Sequence, residues 1–240
     1  METTVENPIE GLVVRSLQLA YLARLLADPA LSDPAAEGSL DLPAGAGSPL
    51  IAEILRQVRA GRRPEAYGAT FGPIPAGHFS PYETSYGSSN AFTQSQALAD
   101  ISGFYKAFGV EPASVYRERS DHLGAELEFL GLLEFKEALA LSEKNAEAAL
   151  ICQSARRRFL EEHVGRWAPV LLERLSLEAA HELYRLLGAL GLELLEESIA
   201  SAGARCRRPE SLTPPEGIAE EAYPELFNCA GGLGNEEPVF

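Results

Sequence analysis

Apolar side chains return every three to four residues along most of this chain, and no segment alternates with period two through Val, Ile and Thr. That pattern selects helices packed on helices and leaves no material for a sheet. Ile9, Leu12, Val13, Leu17, Leu19, Leu22 and Leu26 mark a first helix, introduced by Asn7-Pro8 and stopped near Asp28-Pro29. Ser48-Pro49 opens a second, which ends near Gly61. Further helices are predicted over 91–108, from Asp121 to about Leu141, over 145–163 and 167–175, and from Ser176 to Gly203. The helix after Asp121 carries Leu and Phe on more than one face, so it is expected to be buried on several sides. The expected fold is all-α, a single helical bundle.

Two segments break the pattern. Residues 67–90, YGATFGPIPAGHFSPYETSYGSSN, are dense in Gly, Pro, Ser and aromatics and read as one long loop. A loop of that length inside a domain is uncommon and often functional. Its aromatics are too many for a solvated linker, so some must pack on the body. After Arg208 the composition changes: 209–240 has five prolines, several glutamates and neither Lys nor Arg. The division is therefore a helical domain over 1–208 and an extended Pro/Glu-rich tail over 209–240.

The chain has 20 basic and 35 acidic residues, a net charge of −15. An acidic protein is ill suited to nucleic acid or to anionic membranes, and suits a basic partner. Cys152, Cys206 and Cys229 are too few and too scattered for a disulfide framework or a zinc motif, which fits a reducing cytoplasm. No apolar run reaches spanning length, and the first residues lack the pattern of a secretory signal.

Candidate chemistry is sparse. Asp121-His122 stands at a helix start, where Ser120 or Asp121 is expected to cap, and Glu126 follows His122 by one turn so that the two can share a face. No nucleophile accompanies them. Glu178 and His181 form one Glu-x-x-His pair of the sort that helical di-metal sites use twice. A bundle metalloenzyme on His122, Glu126, Glu178 and His181 is the rival reading. Arg156 to Arg158 read as a solvated face. Tyr82, Glu83 and Tyr86, after Pro81, offer rigid aromatic contact area around a carboxylate, which suits either a peptide or a core anchor.

Taken together, SPYETSY and ERSDHLGAELEFLGLL resemble the paired motifs of the TorD/DmsD/NarJ family, all-helical maturation chaperones of redox enzymes. Pro81, Tyr82, Glu83, Thr84 and Tyr86 match the first motif. Asp121, His122, Leu123, Gly124, Glu126, Leu127, Phe129 and Leu130 match the second. Arg119-Ser120 stands where the family commonly has an Arg-Pro pair. The resemblance covers about Asn7 to Gly203. It implies a cytoplasmic chaperone, not an enzyme and without a cofactor of its own. Its partners would be the catalytic subunit of a molybdenum oxidoreductase of the DMSO reductase family and that subunit's twin-arginine leader. The client would be held during molybdopterin insertion and released for export. Tyr82, Glu83 and Tyr86 would line a groove, with Pro81 at its turn, Asp121 and His122 as its polar floor and Glu126 beside them. Monomer and homodimer both remain open, and the tail is expected to fold back over the groove when no client is bound.

Overall fold

The computed structural model describes residues 8–30, 49–61, 63–72, 79–87, 90–111 and 119–207. Among these the architecture is all-α, as the periodicity predicts. The helices are α1 (Pro8–Leu26), α2 (Pro49–Arg59), α3 (Arg63–Phe71), α4 (Ala91–Ala107), α5 (Leu123–Ser142), α6 (Ala146–Glu162), α7 (Val164–Glu178) and α8 (Glu182–Ala202). A single 3-10 turn, Glu83–Tyr86, precedes α4. The tail expected over 209–240 lies outside the described residues. No helix among the described residues is long and apolar enough to cross a membrane.

Two helices organise the rest. α5 packs most extensively on α1 and also meets α6 and α7; α8 packs on α7 and reaches α1, α2 and α3. The predicted burial of α5 on several sides holds, with Leu123, Leu127, Leu130 and Leu133 each fully or almost fully enclosed. Gly124 and Gly131 lie two turns apart on its α1 face. A Cβ there would stand 3.0 Å from the Ala23 and Ser16 carbonyl oxygens respectively. That descending pairing makes the two helices antiparallel, and their backbones approach more closely than a side chain would permit.

Four expectations are corrected. The first part of the supposed loop 67–90 is helical: Pro64 sits in the first turn of α3. Phe71 and Tyr67 of α3 then pack edge-on against Tyr184 of α8. Arg63, at the head of α3, is buried and donates to the carbonyls of Arg24 and Ala27, closing the end of α1. The boundary predicted at Ser176 is also displaced. α7 begins earlier and continues to Glu178, and α8 starts at Glu182 after His181 Nδ1 accepts the Leu183 N–H at 3.3 Å.

The third correction concerns Asp121. It does not cap α5. His122 does, with extended backbone and its Nδ1 accepting the Gly124 N–H at 3.0 Å. The fourth is Arg156, which is buried rather than solvated. It falls on the inward stripe of α6, with Ala149, Cys152, Phe159 and Leu160, and meets the acidic residues of α5. Arg157 and Arg158 do face solvent and pair with Glu161 and Glu162 one turn on.

Candidate functional site

The loop 79–87 and the start of α5 are joined by main chain. Glu83 N–H donates to the Asp121 carbonyl at 2.9 Å, and Leu123 N–H donates to the Pro81 carbonyl at 2.7 Å. Together they make an antiparallel bridge between Tyr82 and His122. Side chains reinforce it. The buried Asp121 carboxylate accepts from Thr84 Oγ1 at 2.7 Å, from Thr84 N–H at 3.2 Å and from Arg119 at 2.9 Å. Arg119 also lies over the Tyr82 ring, 4.8 Å from its centroid, and Tyr82 meets the His122 ring edge-on. The second loop anchor is Tyr86, which donates to the Ser80 carbonyl at 2.8 Å and packs on Trp167 of α7.

The two sequence segments therefore meet in space, and Asp121 is occupied by Thr84 instead of by its own helix. Exposure divides the expected site residues. Tyr82 and Glu83 are partly exposed. Pro81, Tyr86, Asp121, His122 and Glu126 are buried. Tyr86, Asp121 and His122, expected to line and floor a groove, are enclosed in this conformation. Their polar atoms hold the loop in place, and what they present to solvent is Tyr82 and Glu83.

Glu126 shows the same inward role. It lies fully buried, and Trp167 Nε1 donates to its Oε2 at 3.1 Å. Burial raises its pKa well above the ordinary carboxyl range, and the neighbouring carboxylate of Glu83 raises it further. Its Oε1 is buried without a hydrogen-bond partner, which disfavours the charged form further. A group that holds its proton more tightly when folded contributes stability that fades as pH rises from its unfolded value through the raised one. Glu126→Gln, which mimics the protonated carboxyl, is therefore expected to melt higher than the parent above neutral pH and close to it at pH 5. Each ~1 kcal/mol recovered is worth about 2–4 °C in a chain of this size. Thermal unfolding across that range reads it, and a gain that does not grow with pH would contradict the assignment.

Sequence reasoning did not find Trp167, Arg119 or His163. His163, at the junction of α6 and α7, is buried with Nδ1 3.2 Å from Glu83 Oε2 and Nε2 3.3 Å from Asp100 Oδ2. Its ring is held edge-on to Phe104 and tilted on Phe159, each 5.4 Å between centroids. The Glu83–His163 edge opens on a cleft of about 450 Å³, lined also by Asp100, Glu161, Glu162, Arg166, Arg205 and Arg207. A more apolar cleft of about 370 Å³, between α7 and α8, adjoins it through Arg205. Asp100 on α4 and Glu162 at the end of α6 had no local sequence signature that would join them to a loop 80 residues upstream of His163.

The rival metal set fails on geometry. His122 and His181 each commit Nδ1 to capping a helix. Among the described residues, His122, Glu126, Glu178 and His181 do not bring ligand atoms to a common point; the group that does is Asp100, Glu162 and His163.

Comparison with known proteins points in one direction. The family described as nitrate reductase delta subunit matches residues 37–173, more than half of the chain. A perchlorate reductase assembly chaperone protein of Dechloromonas aromatica (strain RCB) is 33% identical over 87 residues, 36% of this chain and 38% of that protein. A chlorate reductase assembly chaperone protein of Ideonella dechloratans is 38% identical over 100 residues, 41% of this chain and 49% of that one. A selenate reductase assembly chaperone protein of Thauera selenatis is 38% identical over 101 residues, again 41% and 49%. The chain spans less than half the length of these curated relatives. All three names describe assembly chaperones, and none describes a catalyst.

Proposed function

This chain belongs to the nitrate reductase delta subunit family, and from that membership we propose that it is an assembly chaperone for a molybdenum oxidoreductase of the DMSO reductase family. It binds the catalytic subunit, its twin-arginine leader or both, in the cytoplasm. It holds them while the molybdopterin cofactor is inserted, then releases the client for export.

One observation carries the reading. The antiparallel bridge between Tyr82 and His122 holds a partly exposed carboxylate, Glu83, in the wall of a cleft, with the partly exposed Tyr82 next to it in sequence. Asp100, Glu161 and Glu162 line that cleft, opposite Arg166, Arg205 and Arg207, so with Glu83 the acids outnumber the bases there by four to three. A basic, partly apolar and disordered segment fits such a place. Its arginines pair with carboxylates and its apolar residues reach the adjoining cleft between α7 and α8. Ordering the segment on binding keeps the affinity moderate and the complex releasable. Pro81, Tyr86, Asp121, His122 and Glu126 act on the client through the position that they give Tyr82 and Glu83.

The test is titration with a synthetic leader peptide, its two arginines intact or both changed to alanine. The intact peptide is expected to bind and the doubly changed one to bind far more weakly. Tyr82→Ala is expected to weaken the intact peptide by about 2 kcal/mol, roughly 30-fold in Kd, as exposed aromatic anchors do. Its melting temperature should stay near the parent's, because Tyr82 is only partly buried. Asp121→Ala is expected to lose stability and binding together, since the carboxylate is fully buried and ties down Thr84 and Arg119. Failure of both peptides to bind would remove the leader from this proposal. Equal loss of stability and affinity in Tyr82→Ala would make the loop a core anchor and nothing more.

A further inference from the structure

His163 is placed as a metal ligand is placed. Its side chain is fixed between Phe104 and Phe159, and Nδ1 faces the Glu83 carboxylate at 3.2 and 3.3 Å. An acceptor at Nδ1 puts the ring proton there and leaves the Nε2 lone pair pointing the other way. Nε2 is buried and makes no hydrogen bond, yet the Asp100 carboxylate stands 3.3 Å from it. A lone pair facing a carboxylate is repulsive, and either a second ring proton or a metal cation between the two groups relieves it.

A first-row divalent ion resolves that arrangement. Carboxylate-to-imidazole-to-metal is the usual way in which a protein orients a ligating histidine. Asp100, Glu162 and His163 can each offer one ligand atom, all within 4.8 Å of one another. Metal–ligand bonds of about 2.1 Å in tetrahedral geometry put ligand atoms about 3.4 Å apart. The His163–Asp100 pair is already at that separation. Glu162 has to close by at most about 1.4 Å and leave Arg158, to which it is joined in an exposed pair at 3.1 Å. Such pairs contribute little, so the exchange is a small one. Arg166, Arg205 and Arg207 also line the cleft and oppose a cation. The site therefore calls for an ion that forms coordinate bonds, and one imidazole with two carboxylates suits Zn²⁺ among such ions.

We propose that Asp100, Glu162 and His163 form a three-ligand divalent-metal site, with Glu83 orienting His163, that clamps α4 to the junction of α6 and α7. It leaves a coordination position open to the cleft. The site shares Glu83, Asp100 and Glu162 with the cleft of the chaperone reading, but its test is separate, because ion binding is measured without a client.

The experiment is calorimetric titration of the full chain, stripped by chelator and dialysed, with ZnCl2. A parallel titration with Co²⁺ is followed by its visible absorption. One ion per chain is expected. Asp100→Asn and Glu162→Gln, both at exposed positions that leave the fold intact, should each weaken Zn²⁺ binding at least 10-fold. Glu83→Gln should weaken it about 10–100-fold, as loss of an orienting partner does. The Co²⁺ band should disappear in Asp100→Asn. Absence of Zn²⁺ binding overturns the proposal. So does unchanged affinity in either exposed variant, which would place the ion elsewhere, for instance on a cysteine.

Discussion

Glu134→Ala is expected to lower the free energy of unfolding by about 3–5 kcal/mol, the usual consequence of leaving a buried charge without its partner. Glu134 is fully enclosed and receives two buried arginines. Arg15 Nε reaches its oxygens at 2.8 and 3.0 Å, and Arg156 Nη1 lies 3.3 Å away. Ser201 accepts from both guanidiniums, at 3.0 Å from Arg15 and 2.7 Å from Arg156. Glu137 completes the charge balance, 3.0 Å from Arg156 Nε. Removing Glu134 leaves two cations and one anion in an apolar interior. In a chain of this size the loss reads as roughly 6–20 °C in melting temperature. Replacing Arg15, Glu134, Glu137 and Arg156 together by apolar residues of similar volume should restore most of it, because the desolvation cost then goes with all four charges. A Glu134→Ala protein that melts within a degree or two of the parent would show that water enters the network.

The second large effect is one of pH. Burial pushes the His122 pKa down to about 4, against a slight upward pull from Asp121 and Asp28. The geometry agrees: Nδ1 accepts a backbone N–H, so it must be unprotonated. The unfolded chain takes up this proton near pH 6.5 and the folded chain does not until about 4. Across that window the unfolded state binds more protons, so stability falls as pH falls. The shift corresponds to about 3 kcal/mol lost between neutral pH and about pH 4. His122→Asn keeps an N-cap acceptor without the titration. Urea unfolding of both proteins at pH 7 and pH 4.5 should show a shallower loss in the variant by most of that amount. Parallel losses would assign the acid sensitivity to the carboxylates.

Local rules made the helices legible and long-range partners decided what local rules could not. Leu123, Leu127 and Leu130 announce their helix without help from the rest of the chain. The cap does not: Asp ranks above His as an N-cap, but Asp121 is claimed by Thr84, 37 residues away, and the role passes to His122. Arg63 hides for the same reason, since its partners are carbonyls at the far end of α1. Arg156 was readable, because it falls on the same stripe as Cys152, Phe159 and Leu160; a run of three arginines masked the spacing. In the candidate site, Tyr82-Glu83 and Asp121-His122 carried a pairwise signal in the sequence. His163 and Asp100 carried none, because a lone histidine and an exposed aspartate become neighbours only through the packing of Tyr105 on Phe129 and of Phe129 on Phe159.

The buried network around Glu134 also sets an order of events. Arg15 and Ser201 are 186 residues apart. During synthesis at about 5–20 residues per second, the first helix waits on the order of ten seconds or longer before its partner exists. α5 is made earlier and can already seat Arg15 on Glu134, 119 residues away. The hydroxyl that finishes the cluster comes only with the last turn of α8. Until then the nascent chain carries a half-closed polar seam through its centre, and the cooperative lock between α1 and α8 engages only as α8 is completed.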